Sequence, residues 1–161
     1  GNPGRVVGYA GAIEEEKTAG ALEDPGVHMV RLNSHTDARG RLIAAETTAL
    51  PFEPKRLFLV DSVSSGAARG GHAHRSCHQL LVVVAGQMKV VVDDGRRARV
   101  VVMDTPEFGW YLPPMIWSMQ FGHTNGAALL VMASHPYDRS DYVSDYAEFI
   151  NLAHHNENKQ S

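Results

Sequence analysis

Two histidines spaced one residue apart, His72 and His74, are the side chains of this sequence best suited to chemistry. They stand in RGGHAHRSCHQLLVVVAG (residues 69–86), between a glycine pair and an apolar run that stops at Gly86. On an extended strand, residues i and i+2 project from the same face. Both rings are therefore expected to point together into whatever that face encloses. Histidine titrates near neutral pH, so such a pair can remove and return protons without much help from its surroundings. The competing reading is a pair of rings that only hydrogen-bond inside a barrel mouth. Their placement on one face, behind RGG and ahead of Gln79, favours acid–base chemistry.

A rigid β-scaffold must present this pair, and the chain supplies one. Strands are expected at 27–34, 41–48, 55–63, 78–85, 87–92, 97–104, 109–112, 116–121 and 127–133, with a polar turn at 35–40. Segments 80–84 and 100–103 are apolar at every position, as in strands covered on both faces. Gly86 is read as a hairpin between 78–85 and 87–92, and Asp94-Gly95 as a second hairpin turn. Many short strands and little helix predict an all-β fold, a sandwich or jelly-roll barrel. One short C-terminal helix is expected, capped by Ser140, with Val143, Tyr146, Ala147 and Ile150 on its buried face. The polar tail, 153–161, is expected to be disordered.

Composition bounds the possibilities. At 161 residues, 43% hydrophobic and 20% charged, the chain is the size of one domain with a proper core. A net charge of -3 and the absence of any basic run argue against a nucleic-acid surface. No apolar run reaches membrane-spanning length, and no signal-peptide pattern opens the sequence. The lone Cys77 cannot form an internal disulfide, which fits a reducing cytoplasm. Residues 1–27 are rich in Gly, Ala and Glu and close on Asp24-Pro25-Gly26, which reads as a linker or arm ahead of a domain at 28–152.

Motif spacing adds a resemblance. His-x-His, four residues, an acidic position, six residues and Gly is the first motif of the cupin superfamily, which the segment around His72 and His74 resembles. The acidic position holds Gln79, and in the second motif, GWYLPPMIWSMQ (109–120), Ser118 occupies the place of a third histidine. Two of the four metal ligands that the resemblance implies are replaced, and neither Ser nor neutral Gln is a strong transition-metal ligand. A metal-free pocket without a cofactor is therefore expected. His78 has the opposite strand parity from Gln79 and is expected to face elsewhere.

Further phrases sharpen the resemblance. DARGRLIAAE, PFEPKRLFLV, RGGHAHRSCHQ, VDDG, GWYLPPMIW and ASHPYDRSDYVSDYAEF occur in that order. Together they resemble the sugar-nucleotide 3,4-ketoisomerases over about residues 30–149. The resemblance implies isomerisation of dTDP-4-keto-6-deoxy-D-glucose to a dTDP-3-keto-6-deoxyhexose, through an enediol and without a redox cofactor, in deoxyaminosugar biosynthesis of the lipopolysaccharide or O-antigen kind. His72 or His74 is the carbon acid/base, here read as His74, and the other moves a proton between the two oxygens. Gln79 is read as orienting a histidine or sugar hydroxyl. Arg56 and Arg69 are candidates for pyrophosphate or sugar oxygens. Tyr111 and Trp117 are candidates for lining the pocket or stacking on thymine, against the ordinary role of core aromatics. Relatives carry tyrosines in the strand where this chain has Phe58 and Leu59, so a hydroxyl is lost there. The opening GNPGRVVGY resembles the closing segment of hexapeptide-repeat acyltransferases, which implies a bifunctional fusion with an N-terminal acyltransferase domain. A homodimer is expected, since small cupins pair through sheet edges and the arm can add a strand to a neighbour. The alternatives are a dTDP-sugar 3,5-epimerase, a metal-dependent cupin enzyme and a non-catalytic sugar-nucleotide-binding module.

Overall fold

The structure, a computed structural model, describes residues 13–17 and 26–159; the hexapeptide-like opening phrase lies outside them. In chain order the strands are β1 (Ile13–Lys17), β2 (His28–Arg31), β3 (Asn33–Asp37), β4 (Gly40–Ala44), β5 (Arg56–Val60) and β6 (Arg69–His74). They continue as β7 (Gln79–Ala85), β8 (Met88–Asp93), β9 (Ala98–Met103), β10 (Phe108–Leu112), β11 (Trp117–Phe121), β12 (Ala128–Ala133) and β13 (Tyr142–Val143), before helix α1 (Tyr146–Glu157). Two sheets face one another. One runs β1-β9-β8-β11-β6-β13 and the other β2-β10-β7-β12-β5, while β3 and β4 form a separate hairpin. The all-β jelly-roll expectation holds.

The core between the sheets is aliphatic, built from alternate residues such as Leu81 and Val83 on β7, Val90 and Val92 on β8, and Leu129 and Val131 on β12. Trp110 is fully enclosed with them. The opposite parity of β7 is buried too, because Leu80 and Val82 pack under Ile43, Leu50 and Phe52. That double cover is why residues 80–83 are apolar at every position.

Three local expectations need correction. Gly86 does not close a paired hairpin: β7 and β8 belong to different sheets, and the glycine carries the chain from one to the other. It does so with φ +65°, and a Cβ there would stand 2.7 Å from Thr124 Oγ1 and 2.8 Å from the Ala127 Cα. The hairpin at Asp94-Gly95 does form, with Asp93 opposite Ala98. The helix begins later than its periodicity indicates. Asp145, not Ser140, caps it by accepting from the Ala147 N–H, while Val143 belongs to β13. Finally, the helix runs past Leu152 rather than fraying. His154 Nε2 bonds the Gly95 carbonyl at 2.8 Å, and the Tyr146 hydroxyl donates to Asp93 at 2.7 Å. Phe149, fully buried, anchors α1 against Trp117 and Ala73 on the outer face of the first sheet. No helix among the described residues is long and apolar enough to cross a membrane.

Candidate active site

The glycine pair that precedes the histidines shapes their strand. Ser118 lies opposite His72, but the next residue, Met119, lies opposite Gly70, so Gly71 is an extra residue in β6. Gly70 and Gly71 take φ +84° and +80°, which glycine tolerates at little cost. A bulge of this kind bends the strand and re-aims the side chains beyond it. Past it, His72 enters a cavity between the two sheets, lined also by Phe58, Arg69, Gln79, Ser118 and Gln120. The remainder of the lining is largely aliphatic, from Val60, Leu81, Leu129 and Val131. A low-dielectric wall with a few inward polar groups is the composition of a small-ligand site.

The two imidazoles meet edge to face, with ring centroids 5.2 Å apart. Their surroundings differ. His72 faces the cavity, and burial, aided by the neighbouring His74, lowers its pKa to about 4. It is therefore a neutral base at physiological pH. His74 is buried beside it. Burial lowers its pKa, while its bond to Asp141 acts in the opposite direction. Its Nδ1 lies 3.2 Å from Asp141 Oδ2, and its Nε2 is buried without a hydrogen-bond partner.

Two residues that sequence reasoning left without a role complete the cluster. Tyr142 packs on both rings, with centroids 4.9 Å from His72 and 4.4 Å from His74. Asp141 precedes it. Tyr142 lies on β13, whose two residues pair with β6 so that Tyr142 stands opposite His74 and brings Asp141 with it. Arg56 donates to the Tyr142 hydroxyl at 3.4 Å, and its guanidinium lies over the rings of Phe58 and Tyr137 at 5.3 and 5.5 Å. The phrase DRSDY was visible in the sequence, but nothing local marks a two-residue strand that pairs so far back along the chain.

The remaining expected site residues divide. Gln79 lies on β7 level with Ala133, which in turn lies level with Arg56, so these groups share one end of the cavity with the histidines. Arg69 lies at the other end, paired with Gln120. Tyr111 does not reach the cavity. Its neighbours Trp110 and Leu112 face inward, so it faces outward, where its hydroxyl pairs with His78 Nδ1 at 2.6 Å and its ring packs near Phe52. His78 thus faces away from the site, as its parity implied. Trp117 is also displaced. Ser118 points into the barrel, so Trp117 must point out, and it packs against Tyr146 and Phe149. Of the pair that replaces tyrosines, Phe58 lines the cavity whereas Leu59 is exposed. His74, Cys77 and Asp141 each place a metal-ligand type of atom within 4.8 Å of the others. All three are engaged in hydrogen bonds: Asp141 with the Ser76 and Cys77 N–H groups and His74, and the thiol with the His78 carbonyl.

A two-sheet barrel with a pair of imidazoles and a few polar groups on its inner face defines a cupin-type acid–base site. The chain belongs to the FdtA family (WxcM-like, C-terminal), whose model matches residues 25–154. It is 33% identical over 114 residues to the TDP-4-oxo-6-deoxy-alpha-D-glucose-3,4-oxoisomerase of Aneurinibacillus thermoaerophilus, covering 70% of this chain and 82% of that one. Among solved structures, a 3,4-ketoisomerase from Helicobacter canadensis matches at 31% identity and TM-score 0.76, over 80% of this chain and 97% of the other. The sugar 3,4-ketoisomerase QdtA of Thermoanaerobacterium thermosaccharolyticum, in complex with TDP, matches at 29% identity and TM-score 0.80, over 82% and 97%.

Proposed function

We propose that this protein is an isomerase that converts dTDP-4-keto-6-deoxy-D-glucose to a dTDP-3-keto-6-deoxyhexose. The observation that carries the reading is His72 in an apolar cavity with Gln79 and Ser118, in a chain of the FdtA family. The reaction moves a carbonyl by one carbon. A base takes the C3 proton, acidified by the C4 ketone, to give an enediolate with its charge on O4. The C3 hydroxyl proton then passes to O4 and C4 gains a proton, so C–H and O–H bonds balance without electrons leaving the sugar. His72 is the carbon acid/base, in place of His74, because it lines the cavity and is neutral. His74 exchanges the oxygen-bound proton. Tyr142 and Arg56 offer donors to the enediolate oxygen, beside a cavity wall that is largely aliphatic. Gln79 orients the sugar, and Arg69 is the candidate for the diphosphate.

The test is a proton NMR time course with this substrate in D2O, with His72→Asn and His74→Asn variants alongside. A 3-keto product carrying deuterium, lost in the variants, is expected. Exchange at C3 and C5 with the ketone still at C4 would mean an epimerase, and dTDP binding without exchange would mean a binding module.

A homodimer is supported by β5, an edge strand of its sheet whose Leu57 and Leu59 are 63% and 67% exposed. Leu57→Lys with Leu59→Lys is expected to lower the mass measured by light scattering. Fusion to an N-terminal acyltransferase and a cytoplasmic place in O-antigen deoxyaminosugar synthesis rest on the opening phrase, Cys77 and the nucleotide-linked substrate.

A further inference from the structure

Asp141 is held from several directions. The Ser76 N–H donates to Oδ1 at 2.7 Å, the Cys77 N–H donates to Oδ2 at 3.2 Å, and the Arg75 N–H donates to the Asp141 carbonyl at 2.8 Å. Residues 75–77 are thus wrapped around this one residue, whose carboxylate has little freedom to turn away from His74. What it offers His74 is an acceptor. The proton of the neutral imidazole therefore belongs on Nδ1, and the lone pair on Nε2. That Nε2 is the atom with no partner in the folded chain. Leaving a buried acceptor unpaired is costly, and such a group calls for a reason.

We propose that Asp141 is a positioning residue that locks His74 in the Nδ1–H tautomer, reserving Nε2 as the acceptor for the proton that the sugar oxygens exchange. The inference rests on the ketoisomerase reading and adds to it a device that makes the two histidines unlike. When Nε2 takes the proton from the C3 hydroxyl, the imidazolium gains a carboxylate partner on its other nitrogen. When Nε2 delivers the proton to O4, the ring returns to its starting tautomer, so the cycle is closed. The charged and titratable groups around His74 oppose one another: Asp141 favours its protonation, and Arg56 and His135 disfavour it. His72 stands at its edge. Without Asp141 nothing in this set would hold the ring cationic for a moment or fix which nitrogen is bare.

Asp141→Asn separates geometry from chemistry. With its oxygen at the Oδ1 place the carboxamide still accepts from Ser76, and its NH2 group, standing where Oδ2 met Cys77 and His74, faces Nδ1 and selects the Nε2–H tautomer. In long-range 1H–15N spectra of the full chain, wild-type His74 is expected to show a protonated Nδ1 and a bare Nε2, reversed in Asp141→Asn. The variant's kcat is expected to fall by about 10³-fold, with KM within about 3-fold. Asp141→Glu should recover part of kcat and keep the wild-type tautomer. A wild-type His74 protonated on Nε2 would overturn the proposal whatever the variants do. A folded Asp141→Asn enzyme with undiminished kcat would overturn it equally. If the tautomer reverses as expected but the wild type isomerises nothing, the ketoisomerase reading fails while the Asp141–His74 coupling stands.

Discussion

The guanidinium of Arg56 donates to the hydroxyl of Tyr142 across the mouth of the barrel, from β5 to β13. A cation on that oxygen polarises the O–H bond and makes the hydroxyl a better hydrogen-bond donor to a developing oxyanion. The strand that carries Phe58 has no hydroxyl at the cavity, so the phenol available to the imidazole pair is Tyr142, which packs on both rings. Tyr142→Phe is expected to lower kcat about 10²-fold and leave thermal stability within a few degrees. Adding Phe58→Tyr to that variant should restore part of the rate. Steady-state kinetics on the purified variants checks both statements.

The depressed pKa of His72 fixes a pH dependence of stability. The unfolded chain takes up a proton near pH 6.5, whereas the folded chain resists until about pH 4. Across that window the unfolded state binds more protons, so stability falls as pH falls, by about 3 kcal/mol in all. Above pH 6.5 this residue contributes no slope. Guanidinium titrations at about pH 7 and about pH 4.5 should show a loss that shrinks in His72→Asn.

Gly71 is an extra residue with open space around its Cα, whereas Gly70 is crowded: a methyl group there would stand 3.1 Å from both the Ser118 carbonyl oxygen and Gln120 Oε1. Gly71→Ala should therefore cost only the backbone strain of its positive φ, about 1–2 kcal/mol. Gly70→Ala adds a contact with a backbone atom that cannot yield easily, and should cost more. Both should reduce kcat, because the bulge aims His72. Chemical denaturation combined with turnover separates the two effects.

Helix α1 is held chiefly by Phe149. Phe149→Ala removes a fully enclosed ring from contact with Trp117 and is expected to cost about 3–5 kcal/mol. Asp145→Ala, which removes the cap, should cost about 1 kcal/mol. The ratio of these losses, read from urea midpoints, tests whether packing or capping secures the helix.

What was legible in the sequence was what local pattern controls. Strand β7 and the β8–β9 hairpin declared themselves, because burial on both faces and an Asp-Gly turn leave marks within a few residues. His72 was legible for the same reason: an i, i+2 pair after two glycines needs no distant information. Sheet membership was not, and so Gly86 read as a paired turn instead of a crossing. Residue type misled at Tyr111 and Trp117. Each adjoins an inward-facing residue, and one residue of register reverses a side chain's face. Asp141 and Tyr142 were hidden most deeply, since their importance comes from pairing with β6 and the sequence near them looks like the approach to a helix.

That pairing has a consequence for how the protein comes to life on the ribosome. Both sheets, except for β13, are encoded before residue 134, so a nascent chain can close its barrel with His72 already in place. Asp141, Tyr142 and the anchoring Phe149 emerge after those strands. Competence for proton transfer therefore arrives only after the barrel can close, and a chain terminated between the two would be a barrel without a working imidazole pair.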